Sequence, residues 1–328
     1  MNRKMRTLYI KTHMLAWVSF LSLCIPLMTG CSTYSDVKKK TKRIIRDYKA
    51  PDEDLKKRVG IALFKNKTPF VNKGLEENFL KNLVETIKTS CQDVLVLEPY
   101  DPGYPDYLVN LSRKTSGSID NFDLAKTGRH LGLNAVVTGA LIDIRNHRKT
   151  RGILWFKDIH NYVQVQVMTE VYDTQTGAKL LDKSYTHEIE DEDILYLYDD
   201  VSYYDATEKT GEISIHIVND ALKFIAEDMG EQICDAIVLQ PWKGYITSTF
   251  AEKVVISSGE NVGIAPGDIF EVYNCNGVFT GVEKHRFFVP GLKTGEIKIT
   301  KVYPDRAEGV RFSGQNIAPG CSIRPKED

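Results

Sequence analysis

Hydrophobic and polar residues change period several times along this chain, and each change marks an element. Val59-Gly60-Ile61-Ala62-Leu63-Phe64 is a short apolar run with Val and Ile, the mark of a buried strand, and Asn66-Lys67-Thr68-Pro69 ends it. Leu75, Phe79, Leu80, Leu83, Val84 and Ile87 then recur at three and four residues, which predicts an amphipathic helix. Residues 93–97 predict a second strand, the prolines at 99, 102 and 105 an irregular turn, and residues 108–111 another short strand. Asp120 predicts the cap of a second helix holding Phe122, Leu124, Ala125 and Leu131, with Gly132 at its end. A third strand is expected at 135–142. Residues 162–171 alternate at period two, as a strand with one wet face does. Asp173-Thr174-Gln175-Thr176-Gly177 is turn chemistry, and 178–189 returns as its hairpin partner. A last helix at 211–238 sets Ile217, Ala221, Leu222, Ile225, Met229 and Ile233 on one face.

After Pro241 the pattern becomes short strands punctuated by glycine, at 253–256, 269–273, 295–299 and 308–312. That spacing predicts a small all-β barrel. The body therefore reads as two domains, an α/β (α+β) domain with a mixed sheet at 58–240 and a β domain at 241–328.

The amino-terminal pattern is different again. Arg3, Lys4, Arg6 and Lys11 precede an apolar run from Met14 to Met28, followed by Thr29-Gly30-Cys31. A basic segment, an apolar segment and small residues before a cut describe a secretory signal peptide at 1–30. A cysteine straight after the small pair resembles the bacterial lipobox. That resemblance implies diacylglycerol on the Cys31 sulfur, cleavage before Cys31 and a further acyl chain on the new amino terminus. An uncleaved membrane anchor with an incidental cysteine is the alternative, although the run is short for a span of about 20 residues. Three acyl chains exceed the two signals that stable anchoring needs. Ser32 follows, where the resemblance implies export to the outer membrane, facing the periplasm. Residues 31–57 then read as a lipidated basic tether, with Lys38-Lys39-Lys40, Lys42, Arg43 and Arg46. Such a segment either lies on anionic headgroups or is a solvated leash.

The 328 residues carry a formal net charge of −1, which gives no reason to expect nucleic acid. Of six cysteines, Cys24 leaves with the signal and Cys31 takes the lipid. Cys91, Cys234, Cys275 and Cys321 remain, in a compartment that favours disulfides. If each domain folds as a unit, the pairs are Cys91–Cys234 and Cys275–Cys321; buried free thiols are the alternative. No cysteine or histidine spacing fits zinc, and no pattern calls for a cofactor.

Between the hairpin and the last helix, Tyr196, Tyr198, Tyr203 and Tyr204 lie among Asp191, Asp193, Asp199, Asp200 and Asp205. Tyrosine suits interfaces because its ring is amphipathic. The stretch is either a partner contact or a loop covering the domain's own apolar surface. His187 beside Glu188 and Glu190 is the nearest approach to an acid–base cluster, with a solvated hairpin end as the alternative. Asp191-Glu192-Asp193 offers oxygens to a divalent cation, or is a solvated acidic loop. There is no Gly-x-Ser-x-Gly, phosphate loop or His-Glu-x-x-His.

Residues 59–66 resemble the opening strand of the periplasmic domain shared by the TolB amino-terminal module, the curli lipoprotein CsgG and the penicillin-binding-protein activator LpoB. Gly128-Arg129-His130-Leu131-Gly132-Leu133-Asn134-Ala135-Val136-Val137-Thr138-Gly139 resembles that domain's helix end and the Gly-Ala-Asp strand closing on glycine, and Asp173-Thr174-Gln175-Thr176-Gly177 its Asp-x-x-Thr-Gly turn. Ser258–Tyr273 and Ile317-Ala318-Pro319-Gly320-Cys321 resemble the carboxy-terminal domain of the flagellar H-ring protein FlgT, an SH3-like barrel. The resemblances imply a binding protein rather than an enzyme: a scaffold or accessory subunit of a flagellar, curli or peptidoglycan-synthase assembly, with an envelope protein or a second copy as partner. A CsgG-like pore subunit is the first alternative. It needs two inserted hairpins with strands of about 9–11 alternating residues, and the insertions expected at 147–160 and 191–210 are too short or too acidic. An envelope hydrolase is the second, and the sequence offers it no nucleophile or base.

Overall fold

The computed structural model describes residues 55–70, 72, 74–153, 156–190, 213–274 and 277–326. β1 (Lys57–Ile61) is the parallel centre of a mixed sheet, with β3 (Val94–Leu97) on one side and β4 (Ala135–Ile153) on the other. β2 (Lys65–Asn66) adds briefly to β4. β5 (Phe156–Asp173) and β6 (Lys179–Glu190) continue the sheet antiparallel, giving the order β3-β1-β4-β5-β6.

Alternate residues of a strand face opposite ways, and here both faces are covered. Val59, Ile61, Val137, Val163, Val165 and Val167 meet the apolar stripes of α1 (Leu75–Ser90) and α4 (Ile215–Val238) on one face. Val136 and Tyr172 look the other way, toward Leu108, Leu124 and Leu133. There α2 (Asp106–Val109) and α3 (Asn121–His130) close the second layer. Asp120 caps α3 as its sequence position predicts, accepting the N–H groups of Phe122 and Asp123 at 3.1 and 3.2 Å. Cys91 and Cys234 are bonded, with Cα atoms 5.8 Å apart, so a disulfide ties the end of α1 to α4.

Two elements differ from the sequence expectation. The strand expected at 108–111 is instead the single helical turn α2. Pro105, fixed at φ −65°, precedes it, and the Leu108 N–H donates to the Pro105 carbonyl at 2.9 Å. β4 and β5 run far past the expected strand ends, 19 and 18 residues long, and pair out to Ile153 and Phe156. A bulge at Leu141–Asp143 resets the register. Ile144, Val163 and Val165 still face the core past it, and from Arg148 to Gly152 the strand is polar and exposed. With no core beneath it, that stretch has no apolar period to read.

The carboxy-terminal part is a closed six-stranded barrel. β7 (Gly244–Phe250), β8 (Lys253–Ile256), β9 (Ile269–Tyr273), β12 (Lys293–Val302), β13 (Ala307–Gly314) and β14 (Ser322–Pro325) form it. Trp242, Ile246, Ile256, Phe270, Val272, Ile297 and Ile323 fill the interior. β7 and β14 were not visible in the pattern: a bulge at Ile246–Ser248 breaks the alternation of the first, and the second is only four residues long. Between β9 and β12 the chain makes a separate hairpin, β10 (Gly277–Thr280) and β11 (Arg286–Val289).

Candidate functional site

The sequence-predicted residues do not converge. Cys31, the tyrosines Tyr196, Tyr198, Tyr203 and Tyr204, the acidic triplet at 191–193 and Cys275 lie outside the described residues. Cys321 is buried in the barrel wall, where its carbonyl accepts the Ile246 N–H at 2.9 Å. His187 stacks on Phe224 with ring centroids 4.8 Å apart. Among the described residues no group of His, Cys, Asp or Glu could hold a metal ion, and no helix is long and apolar enough to cross a membrane.

Glu188 and Glu190 sit on β6 beside the polar ribbon, and both are occupied. Glu188 accepts from Lys149 and lies 3.5 Å from His147 Nε2. Glu190 accepts from His160 and, at 3.2 Å, from the Tyr162 hydroxyl, with Arg151 at 3.8 Å. The Lys149 hydrogen bond holds Glu188 below the usual carboxylate range, and the His160 bond does the same for Glu190. Carboxylates held ionised in this way stabilise the fold above the unfolded-state value of about 4.3, and that contribution is lost as pH falls through their depressed folded values. The urea midpoint should therefore fall more steeply below about pH 4 in the native chain than in a Glu188→Gln, Glu190→Gln double variant. Both groups are partly exposed, so added salt should shrink the difference.

A buried polar cluster lies where the β5–β6 turn meets the barrel. The turn Asp173-Thr174-Gln175-Thr176-Gly177 is locally determined: Asp173 accepts the N–H groups of Gln175 and Thr176 at 3.2 and 3.0 Å, and the Thr176 hydroxyl at 2.6 Å. Lys243, just before β7, reaches into it and bonds Asp173 at 2.7 Å, with the two side chains 4% and 5% exposed. Thr174 bonds the Leu133 and Asn134 carbonyls and meets the Tyr245 hydroxyl at 3.0 Å. Burial pushes the Tyr245 phenol above its usual range, so it stays neutral. Asn134 Oδ1 accepts the Arg58 N–H at 2.9 Å, while its Nδ2 donates to the Lys243 carbonyl at 2.8 Å. Arg129 donates to the Thr174 and Gln175 carbonyls and lies 3.8 Å over the Phe288 ring. Phe288 in turn stacks on Phe122 at 4.3 Å, which docks the β10–β11 hairpin onto α3.

These charges and donors are consumed by carbonyls and by one another, so the cluster is a joint between sheet and barrel. Gly132 shows how close the fit is. Its φ is +69°, and a Cβ there would sit 2.6 Å from the Ser257 carbonyl oxygen in the barrel. Gly132→Ala should cost about 1–3 kcal/mol, read as a lowered urea midpoint. The turn is legible in the sequence as turn chemistry, and Gly132 as the end of a helix. Lys243, Arg129 and Tyr245 are not, because a single buried charge or phenol has no local pattern.

No protein-family model and no curated protein matches the chain. Among solved structures it is similar to a hypothetical protein of Chlamydia trachomatis, with 11% identity over 56% of this chain and 99% of that one, at a TM-score of 0.34. A lipoprotein of Neisseria meningitidis matches with 11% identity over 43% of this chain and 91% of its own, at 0.28. TolB from Acinetobacter baumannii matches with 10% identity over 79% of this chain and 60% of its own, at 0.26. All three scores are below 0.5 and carry no argument about activity or partners.

Proposed function

We propose that this chain is a lipid-anchored, non-enzymatic subunit of a bacterial envelope assembly, held at the outer membrane and facing the periplasm. The observation that carries this reading is the buried joint. Its buried charged and hydrogen-bonding side chains lock a mixed sheet to a barrel, which suits a scaffold, and the lipobox-like Leu27-Met28-Thr29-Gly30-Cys31 supplies the attachment. The resemblances at 59–66, 128–139, 173–177, 258–273 and 317–321 favour an accessory role of the flagellar, curli or synthase-activator kind.

The partner contact is placed at Tyr196, Tyr198, Tyr203 and Tyr204, where aromatic area and acidic charge suit a basic protein surface or a second copy of the chain. A photo-cross-linking residue at position 198 should trap another protein or another copy. If deleting residues 195–207 alters neither complex formation nor phenotype, the segment is a cover loop and the contact lies elsewhere.

The pore reading rests on the ribbon. Residues 148–153 and 156–161 pair with each other beyond the last β5–β6 pair, Tyr162 with Glu190. That overhang is shorter than the roughly 9–11 residues of a membrane-crossing strand. Conductance across liposomes would restore the pore.

A further inference from the structure

The two margins of the mixed sheet are built differently. β6 carries Lys179, Asp182, Lys183 and Glu188, the charges that keep an edge from pairing with other chains. β3 is Val94-Leu95-Val96-Leu97, without a charge, and among the described residues no strand pairs with its outer side. A strand edge offers backbone N–H and carbonyl groups to any extended chain that can lie beside it.

A cleft of about 270 Å³ runs along that edge. Leu95 and Leu97 form one wall, Val262 and Pro304 of the barrel the other, and Arg58 and Asp305 bring charge to it. The volume is just below that of small-molecule sites, which suits side-chain-sized groups. Arg58 is the informative residue. Its guanidinium donates to the Ser257 carbonyl at 3.1 Å, and the ion pairs within 4 Å among the described residues do not include it. Burial lowers its affinity for its proton, and the more distant Asp305 only partly offsets this. A cation held partly out of water against a carbonyl is complemented best by a carboxylate.

We propose that this cleft binds an extended acidic peptide from a partner protein, which adds as a strand to β3 and sets a carboxylate on Arg58. The backbone edge supplies affinity, the apolar walls accept alternate side chains, and Arg58 selects for the acid. The site is independent of the lipid anchor and of the tyrosine segment.

The test uses the purified full chain in detergent and a phage library of random peptides, followed by titration of an enriched peptide. Enriched sequences should combine β-branched residues with an acidic one. Changing that acid to its amide, or Arg58→Gln in the protein, should weaken binding roughly tenfold, the loss of one charge-assisted hydrogen bond. Proline in the middle of the peptide should abolish binding, because it removes a ladder donor. Asn261 lies at the cleft with its side chain exposed, so Asn261→Trp should plug the site and leave the urea midpoint unchanged. Hydrogen exchange at Leu95–Leu97 should slow when the peptide is bound. No enrichment over the support, or binding indifferent to Asn261→Trp, would overturn the proposal. Equal binding of the proline-containing peptide would reduce the site to an anion pocket and overturn the strand addition.

Discussion

Replacing Lys243 with Met should destabilise the protein by about 3 kcal/mol, near the lower end of what breaking a buried ion pair costs. The pair is almost fully buried, so the variant leaves the Asp173 carboxylate without its counter-charge. Three hydrogen bonds from Gln175 and Thr176 remain on that carboxylate and keep the loss from being larger. Adding Asp173→Asn to Lys243→Met removes the stranded charge and should recover much of the loss. The measurement is urea unfolding with linear extrapolation in a Trp155→Phe background, followed by Trp242 fluorescence for the barrel and far-ultraviolet dichroism for the helices. Native protein should give coincident transitions. In the single variant the two signals should separate, because the joint that couples sheet and barrel has been cut. Coincident transitions with a loss under about 1 kcal/mol, the scale of a surface pair, would mean that the joint does not couple them.

Removing the Cys91–Cys234 bond should cost about 2–5 kcal/mol. The bonded residues are 143 positions apart. A chain-entropy account puts the constraint on the unfolded state at about 5 kcal/mol for a loop of that size. Cys234 is fully buried on α4 among Met229, Ile233 and Ile237. Alanine there therefore adds a small cavity term, and the Cys91→Ala, Cys234→Ala pair should be compared with the native chain in reductant. Peptide mapping without reductant should recover Cys91 linked to Cys234. A midpoint that reductant leaves unchanged would assign the stability to the α1–α4 packing alone.

What the sequence made legible follows from what leaves a periodic trace. α1 and α4 each bury one stripe, and Asp120 and Gly132 bound α3, so those elements were readable. The mixed sheet was readable from β1, β3 and the alternation in β5. The outer end of β4 was not, because Arg148 to Gly152 are exposed and carry no alternation. α2 was taken for a strand because four apolar-rich residues fit either state, and Pro105 decided it. At the joint, the Asp173 turn was recognised by its local chemistry. Its partners come from α3, from the start of β4 and from the barrel, up to 149 positions away, and no spacing rule reaches that far. The β3 cleft lacked a signal for the same reason: Arg58 and Leu95 pair within the sheet, and Asp305 reaches them only from the barrel.

The mass of the mature amino-terminal peptide tests most directly whether this chain is a lipoprotein. Protein isolated from the bacterial envelope should begin at Cys31, with diacylglycerol in thioether linkage on the sulfur and an amide-linked acyl chain on the nitrogen. A chain that begins at Met1, is cleaved at another residue, or carries an unmodified Cys31 thiol would contradict the account.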